Sequence, residues 1–475
     1  MKKAVIKTIV VILMVIAIPL SMLIMAFSLP AQFSYTYYGA LPKMYQRLKA
    51  AEGKKIVIIG CSGVAFGVNT ELLQEQFNEY MVCPFGLYGA IGTKAMMELS
   101  KVNIEEGNIV ILAPELGEQS LSTYFNGEHV YMGADGYPEM LSHVAWEDIG
   151  SMIEAMPSYL SKKFEYWQAG EPPKPTGVYT ASSFNENCNM VYDRPCNIME
   201  GGYDKGELPS YDTNIIKPAF LDYVNEYNEY VTKRGATLVY AFTPVNAASI
   251  PLDTTQEDVD VFYNYLTANL NFPILGNPHD YIMDCEWFYD SNVHCNTTGA
   301  VVYTRQLTKD LKVYLGDTTP TKIEIPEKPA LPDENETMGG ENKDAQYFIY
   351  EETKNGVQII GLTEEGAKQT ALILPTTYND MQVTGFLATT FAGNSVIEEI
   401  RLQRNIRSIE NGSFSGCTNL KGLYLAKGET PSRCKVNTGF LEGAERLKIY
   451  VEKDKLVDYI NDYFWSRYAA NIVGY

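Results

Sequence analysis

Three short segments are apolar on almost every residue rather than on every second one: Lys55–Gly60 (KIVIIG), Asn108–Ala113 (NIVILA) and Ala236–Thr243 (ATLVYAFT). Strands buried on both faces read this way, whereas a strand with one wet face alternates. Such strands need helices on both sides, and the sequence supplies helical patterns at Thr70–Tyr80, Thr93 to about Val102, Pro218–Lys233, Gln256–Asn269 and about Asn296–Tyr314. Met81–Gly92 adds a strand running into a glycine-rich turn, and Phe272–Leu275 is strand-like. The pattern predicts an α/β class, a doubly wound and mostly parallel sheet over residues 50–315. In such a sheet the reactive groups collect at the carboxyl ends of the strands.

The chain begins differently. Lys2, Lys3 and Lys7 precede an uncharged apolar run, Thr8–Ser28. A helix of that length spans roughly 30 Å, a bilayer core, and exceeds the apolar part of a cleavable signal. The basic flank predicts a cytoplasmic N-terminus, with residues 1–30 as an uncleaved anchor and everything after it outside. Cleavage near Ala26 and Ser28 would instead leave a secreted protein. Eight cysteines are permitted to pair in an exported chain, and buried thiols or one or two bridges both fit. None shows C-x-x-C spacing and only four histidines are present, so neither a metal nor a cofactor is expected. With 58 Asp+Glu against 38 Lys+Arg, the net charge of −20 repels a phosphate backbone and excludes nucleic acid as a partner.

Between about 116 and 211 the periodicity weakens while Tyr, Trp, Pro and Gly accumulate, as in Glu165–Gly177 (EYWQAGEPPKPTG), which predicts a long irregular insertion. Residues 316–344 turn to Pro, Glu, Asp and Thr, the composition of an extended linker. Beyond it a repeat appears. Phe391, Phe414 and Phe440 are spaced by 23 and 26 residues, and each is followed by an aliphatic pair: Ile400 and Leu402, Leu423 and Leu425, Ile449 and Val451. That period predicts a small solenoid over residues 345–475 with one short strand per repeat. The lines FSGCTNLKGLYL and IRSIE resemble BspA-type leucine-rich repeats of bacterial surface proteins, and the tail with Trp465 and Tyr468 resembles their capping segment.

Ser62, in IIGCSGVAFG, follows the first strand through a turn of small residues, which aims its hydroxyl at the open end of the sheet. An N-capping role would use the same position. Asp290 and His294, in DSNVH, stand before the last helix and supply the acid and base that a serine nucleophile requires. With these blocks, residues 50–315 resemble the SGNH, or GDSL-like, hydrolase superfamily. The resemblance implies Ser62 as nucleophile, His294 as general base and Asp290 as its orienting carboxylate. It also implies an oxyanion site from backbone N–H groups at Ser62 and Gly89, with Gly86 the competing glycine. Two departures stand out: the acid and histidine are one residue further apart than is commonest, and the third block ends in Ala113-Pro114-Glu115 instead of carrying an asparagine donor.

Glu115 is therefore a candidate for binding an acceptor hydroxyl, or equally for capping the next helix, and Asn246 for replacing the missing donor. His279 and Asp280 form a turn without an assigned partner; His129 and His143 read as surface residues. The anchor and the motif set look closest to exported proteins related to the D-alanine transfer protein and to alginate O-acetylation proteins. That likeness implies acyl hydrolysis or transfer on a cell-envelope polymer, beside a membrane-bound O-acyltransferase as partner. A non-catalytic surface-binding protein with a degenerate hydrolase fold and leucine-rich repeats is the alternative.

Overall fold

The computed structural model describes the chain apart from residues 1, 200–201, 252, 330–341, 354–355, 380, 407, 427–428, 430, 432–433, 438 and 463, and apart from the side chains of residues 2–5, 9–16 and 454. It divides into two compact units, residues 1–249 with 260–329 and residues 250–259 with 330–475. Much of the expected linker, residues 330–341, lies outside the described residues.

The first unit runs α1 (Lys2–Ser28), α2 (Ala40–Ala50), β1 (Lys55–Gly60), α3 (Ser62–Gly67), α4 (Thr70–Gln76), β2 (Met81–Gly86), α5 (Thr93–Ser100) and β3 (Ile109–Ala113). It continues with α6 (Gly127–Gly133), α7 (Ile149–Gln168), α8 (Pro218–Thr232), β4 (Thr237–Tyr240), β5 (Val245–Asn246), α9 (Gln256–Asn269, in this unit from Asp260 on), β6 (Ile282–Met283) and α10 (Thr297–Tyr314). Four strands form an all-parallel sheet in the order β2-β1-β3-β4. Every residue of β1 and β3 is buried, as their unbroken apolar pattern requires. Phe272–Leu275 makes a single parallel bridge, Tyr240 to Ile274, instead of a full strand. β5 and β6 pair separately.

The strand order reverses direction between β1 and β3, so the crevice beyond their carboxyl ends is the natural place for a site. Register places three chain exits there at one level, because Gly60 pairs with Gly86 on one side and with Ala113 on the other. Gly60 and Gly86 also admit α3: a side-chain carbon on either would lie 2.4 or 2.6 Å from Val64.

Among the described residues no helix is long and apolar enough to cross a membrane. The side chains of residues 9–16, in the middle of the expected anchor, lie outside the described residues.

The insertion is more regular than its sequence suggests. α7 contains 20 residues and runs through Glu165–Gln168, which had read as irregular. Its buried stripe is Met152, Met156, Tyr159 and Lys163, a helical spacing disguised by an interior Pro157 and by a lysine at a core position. Lys163 reaches Asp135 at 2.5 Å, with both side chains almost fully buried. The same carboxylate accepts from Tyr159 Oη at 2.8 Å and from the backbone N–H groups of Gln32 and Phe33 at 2.6 and 3.0 Å.

In the second unit the expected strands form at Glu399–Arg401, Gly422–Tyr424 and Lys448–Val451, with Ile400, Leu423 and Ile449 in parallel register and fully buried. The three phenylalanines are buried beside them. The ladder is longer than the three counted repeats, since Ala371–Ile373 adds a strand before them and Ile472–Gly474 one after. Trp465, fully buried, donates Nε1–H to the Cys434 carbonyl at 2.8 Å. Seven of the eight cysteines are buried, Cys196 being partly exposed.

Candidate functional site

Ser62 opens α3 directly beyond β1 and is 8% exposed. Its hydroxyl donates to Glu115 Oε1 at 2.9 Å, and the next backbone N–H, that of Gly63, donates to the same oxygen at 2.7 Å. Glu115 leaves β3 two residues past Ala113, so the in-register ends of β1 and β3 bring the two residues together across 53 positions of chain. It thus caps the helix that follows β1, not the helix that follows its own strand.

The Asp290–His294 pair forms as its spacing suggests. His294 Nδ1 lies 2.8 Å from Asp290 Oδ1, and His294 is 6% exposed. An Nδ1–H donated to Asp290 leaves Nε2 as the acceptor of the neutral ring. Tyr179 Oη donates to the other carboxylate oxygen at 2.7 Å. Burial raises the Asp290 pKa, but the hydrogen bonds and charge of His294 and the hydroxyl of Tyr179 outweigh it and hold the carboxyl below its ordinary 3.8. A carboxyl with a depressed folded pKa contributes stability that is complete above its ordinary value and is lost as pH falls through the folded one. The melting-temperature advantage of wild type over Asp290→Asn is therefore expected to persist at pH 5 and to shrink below about pH 4. An advantage equally large at pH 3 and pH 7 would contradict this pairing.

The imidazole is fixed over α3. Phe66, one turn after Ser62 and on the same helical face, stacks on His294 with centroids 3.9 Å apart and planes 9° from parallel. The Arg194 guanidinium lies 5.3 Å from the Phe66 ring and donates to the Cys295 carbonyl at 3.1 Å. Burial lowers the pKa of this arginine, which is 2% exposed and places a cation beside the site of an acidic protein. Among the described residues, the hydrogen-bond partner of Ser62 Oγ is Glu115 and not His294.

The two glycine candidates separate. Gly86 is a packing residue, where a side-chain carbon would fall 2.6 Å from Val64 and 2.8 Å from the Cys61 carbonyl. Gly89 is open on that side, its nearest neighbour being Glu115 Oε2 at 3.7 Å from the position of such a carbon. Asn246 is fully buried and committed to backbone: its Nδ2 donates to Gly202 O and its Oδ1 accepts from Ala248 N. With no exposed surface it presents neither end to solvent.

His279 Nε2 pairs with Asp260 at 2.9 Å. His129 and His143 are half-buried against Tyr38 and Tyr45 instead of lying on the surface, and burial lowers the pKa of both. Cys61, beside the serine, is a protonated thiol, its pKa pushed up to about 12 by burial and by the charge of Glu115. Sequence reasoning missed Tyr179, Phe66, Arg194 and the Gly63 N–H. The first and third come from the insertion, whose irregular pattern carries no sign of what it touches. Phe66 was visible only as one of several apolar residues after the serine.

Fold and site together define a protein of mixed α/β class, with a parallel sheet whose switch point holds a serine, a glutamate and a histidine–aspartate pair. No family model matches the chain, and no curated protein matches it. Among solved structures, a T. pallidum leucine-rich repeat protein matches with 22% identity and a TM-score of 0.20, over 23% of this chain and 49% of that one. The Bacillus subtilis protein YXIM matches with 11% identity and a TM-score of 0.25, over 56% of this chain and 57% of that one. The chain thus spans about half the length of each.

Proposed function

We propose that residues 50–315 are an SGNH-type serine acyl esterase or acyltransferase acting on a cell-envelope glycan or teichoic-acid-like polymer. On this reading residues 1–30 anchor the protein in the membrane and residues 345–475 form an extracellular leucine-rich repeat module. The observation that carries the reading is the Asp290–His294 pair, held by Tyr179 and stacked on Phe66 one turn from Ser62.

In the reaction, Ser62 Oγ attacks the ester carbonyl carbon while its proton passes to His294 Nε2. The carbonyl oxygen becomes an oxyanion beside the backbone N–H groups of the Ser62–Gly63 turn and Gly89. Collapse breaks the bond to the alcohol oxygen, which leaves with the proton from His294, and the acyl group stays on Ser62. Water or an acceptor hydroxyl then attacks, giving its proton to His294, and Ser62 is released by the reverse steps.

A fluorophosphonate is expected to label the wild-type chain on Ser62 and to leave Ser62→Ala unlabelled, as read by peptide mass. Equal labelling of both would remove the serine from the mechanism. The second reading, a non-catalytic surface-binding protein, is favoured by one observation, the Ser62 hydroxyl being bound to Glu115 instead of His294.

A further inference from the structure

Glu115 stands where an esterase needs an unoccupied donor. Attack by Ser62 builds an oxyanion on the carbon bonded to Oγ, and donors about 2.7–3.1 Å away must receive it. The Gly63 N–H is at hand for that role, and it is already donated to Glu115 Oε1, the oxygen that also takes the Ser62 proton bond. The other carboxylate oxygen faces Gly89, the second glycine of the site. One anionic side chain thus fills the position that the reaction's own anion must enter, and two like charges do not share it.

We infer that Glu115 is a specificity-determining residue, a resting occupant of the oxyanion position that an ester's carbonyl has to displace. Displacement consumes binding energy gained away from the reacting bond, so esters with extended contacts are turned over faster than small ones. No bond to Glu115 forms or breaks and no proton moves to it; the Ser62 proton goes to His294 and the carboxylate swings aside as an anion. The inference rests on the esterase reading above and adds to it a reason for selectivity.

The test compares the full-length wild type with Glu115→Gln, Glu115→Ala and Ser62→Ala, by p-nitrophenyl acetate hydrolysis and by the rate of fluorophosphonate labelling on Ser62. Glutamine keeps the size of the side chain, removes its charge and can offer an N–H to the oxyanion. Alanine empties the position. Both are expected to raise kcat/KM for the small ester at least tenfold, chiefly through kcat, and to label faster than wild type. A purely structural glutamate would give the opposite, a loss of activity together with a lower melting temperature.

Labelling of Ser62 in wild type with no gain in either variant overturns the inference and leaves the esterase reading standing. A fall of both variants to the Ser62→Ala rate at unchanged melting temperature also overturns it, because Glu115 would then be the base that accepts the Ser62 proton. No labelling of Ser62 in any chain overturns both readings.

Discussion

Ser62→Ala and His294→Ala are each expected to lower serine-dependent ester turnover by on the order of 10⁴-fold or more, and the double variant by scarcely more than either alone. The reason is that they act as one unit. A serine hydroxyl is a weak nucleophile until a base removes its proton, and an imidazole without a nucleophile to serve accelerates nothing. Asp290→Asn is expected to be roughly two decades less damaging, because it disturbs the tautomer and orientation of His294 while nucleophile and base both remain. Tyr179 and the stacked Phe66 ring then still hold the imidazole over α3. The measurement is p-nitrophenyl acetate hydrolysis under saturating and limiting substrate, with circular dichroism to show that each variant is folded. Losses that multiply in the double variant would mean that serine and histidine act separately. Equal rates in wild type and Ser62→Ala would hand the argument to the binding-protein reading.

Asp135→Ala is expected to cost about 3–5 kcal/mol of stability, the largest loss from any single charged side chain of the first unit. The carboxylate receives four donors, and its removal leaves the buried Lys163 ammonium and two backbone N–H groups without an acceptor. Lys163→Met should cost less, since the carboxylate then keeps Tyr159 and the backbone of Gln32 and Phe33 as donors. Denaturant unfolding of the three proteins gives the order directly. The reverse order, with Lys163→Met the more damaging, would mean that the Lys163 ammonium, 5.5 and 5.9 Å from the Phe27 and Tyr159 ring centres, gains more from those rings than Asp135 gains from its other donors.

The same buried pair shows where sequence reading loses its grip. Lys163 interrupts what would otherwise be an apolar stripe, so α7 does not look like a core helix, and nothing near Asp135 marks it as the partner 28 residues away. Hydrophobic periodicity reports how a local segment is buried and is blind to a polar side chain buried by pairing. Where burial alone decides, the reading was close: β1 spans Lys55–Gly60, and Ile400, Leu423 and Ile449 align in one ladder. The added strands at Ala371–Ile373 and Ile472–Gly474 escaped notice because neither carries the phenylalanine that marked the other repeats.

The sequence by itself determined the four strands of the parallel sheet, the serine at the tip of the first of them, the acid and histidine four residues apart, and the repeat frame of the second unit. Each is a local pattern, set by side-chain polarity along a helix or strand and by the small residues that a sharp turn needs. Only the tertiary structure decided that Glu115 meets Ser62, that Tyr179 meets Asp290 and that Phe66 lies flat on His294. Those contacts follow from strand order and register, with Gly60 flanked by Gly86 and Ala113, and from an insertion that brings Tyr179 to Asp290. Chain segments far apart in sequence are brought together by the burial of the whole sheet, a cooperative quantity that no stretch of residues carries alone.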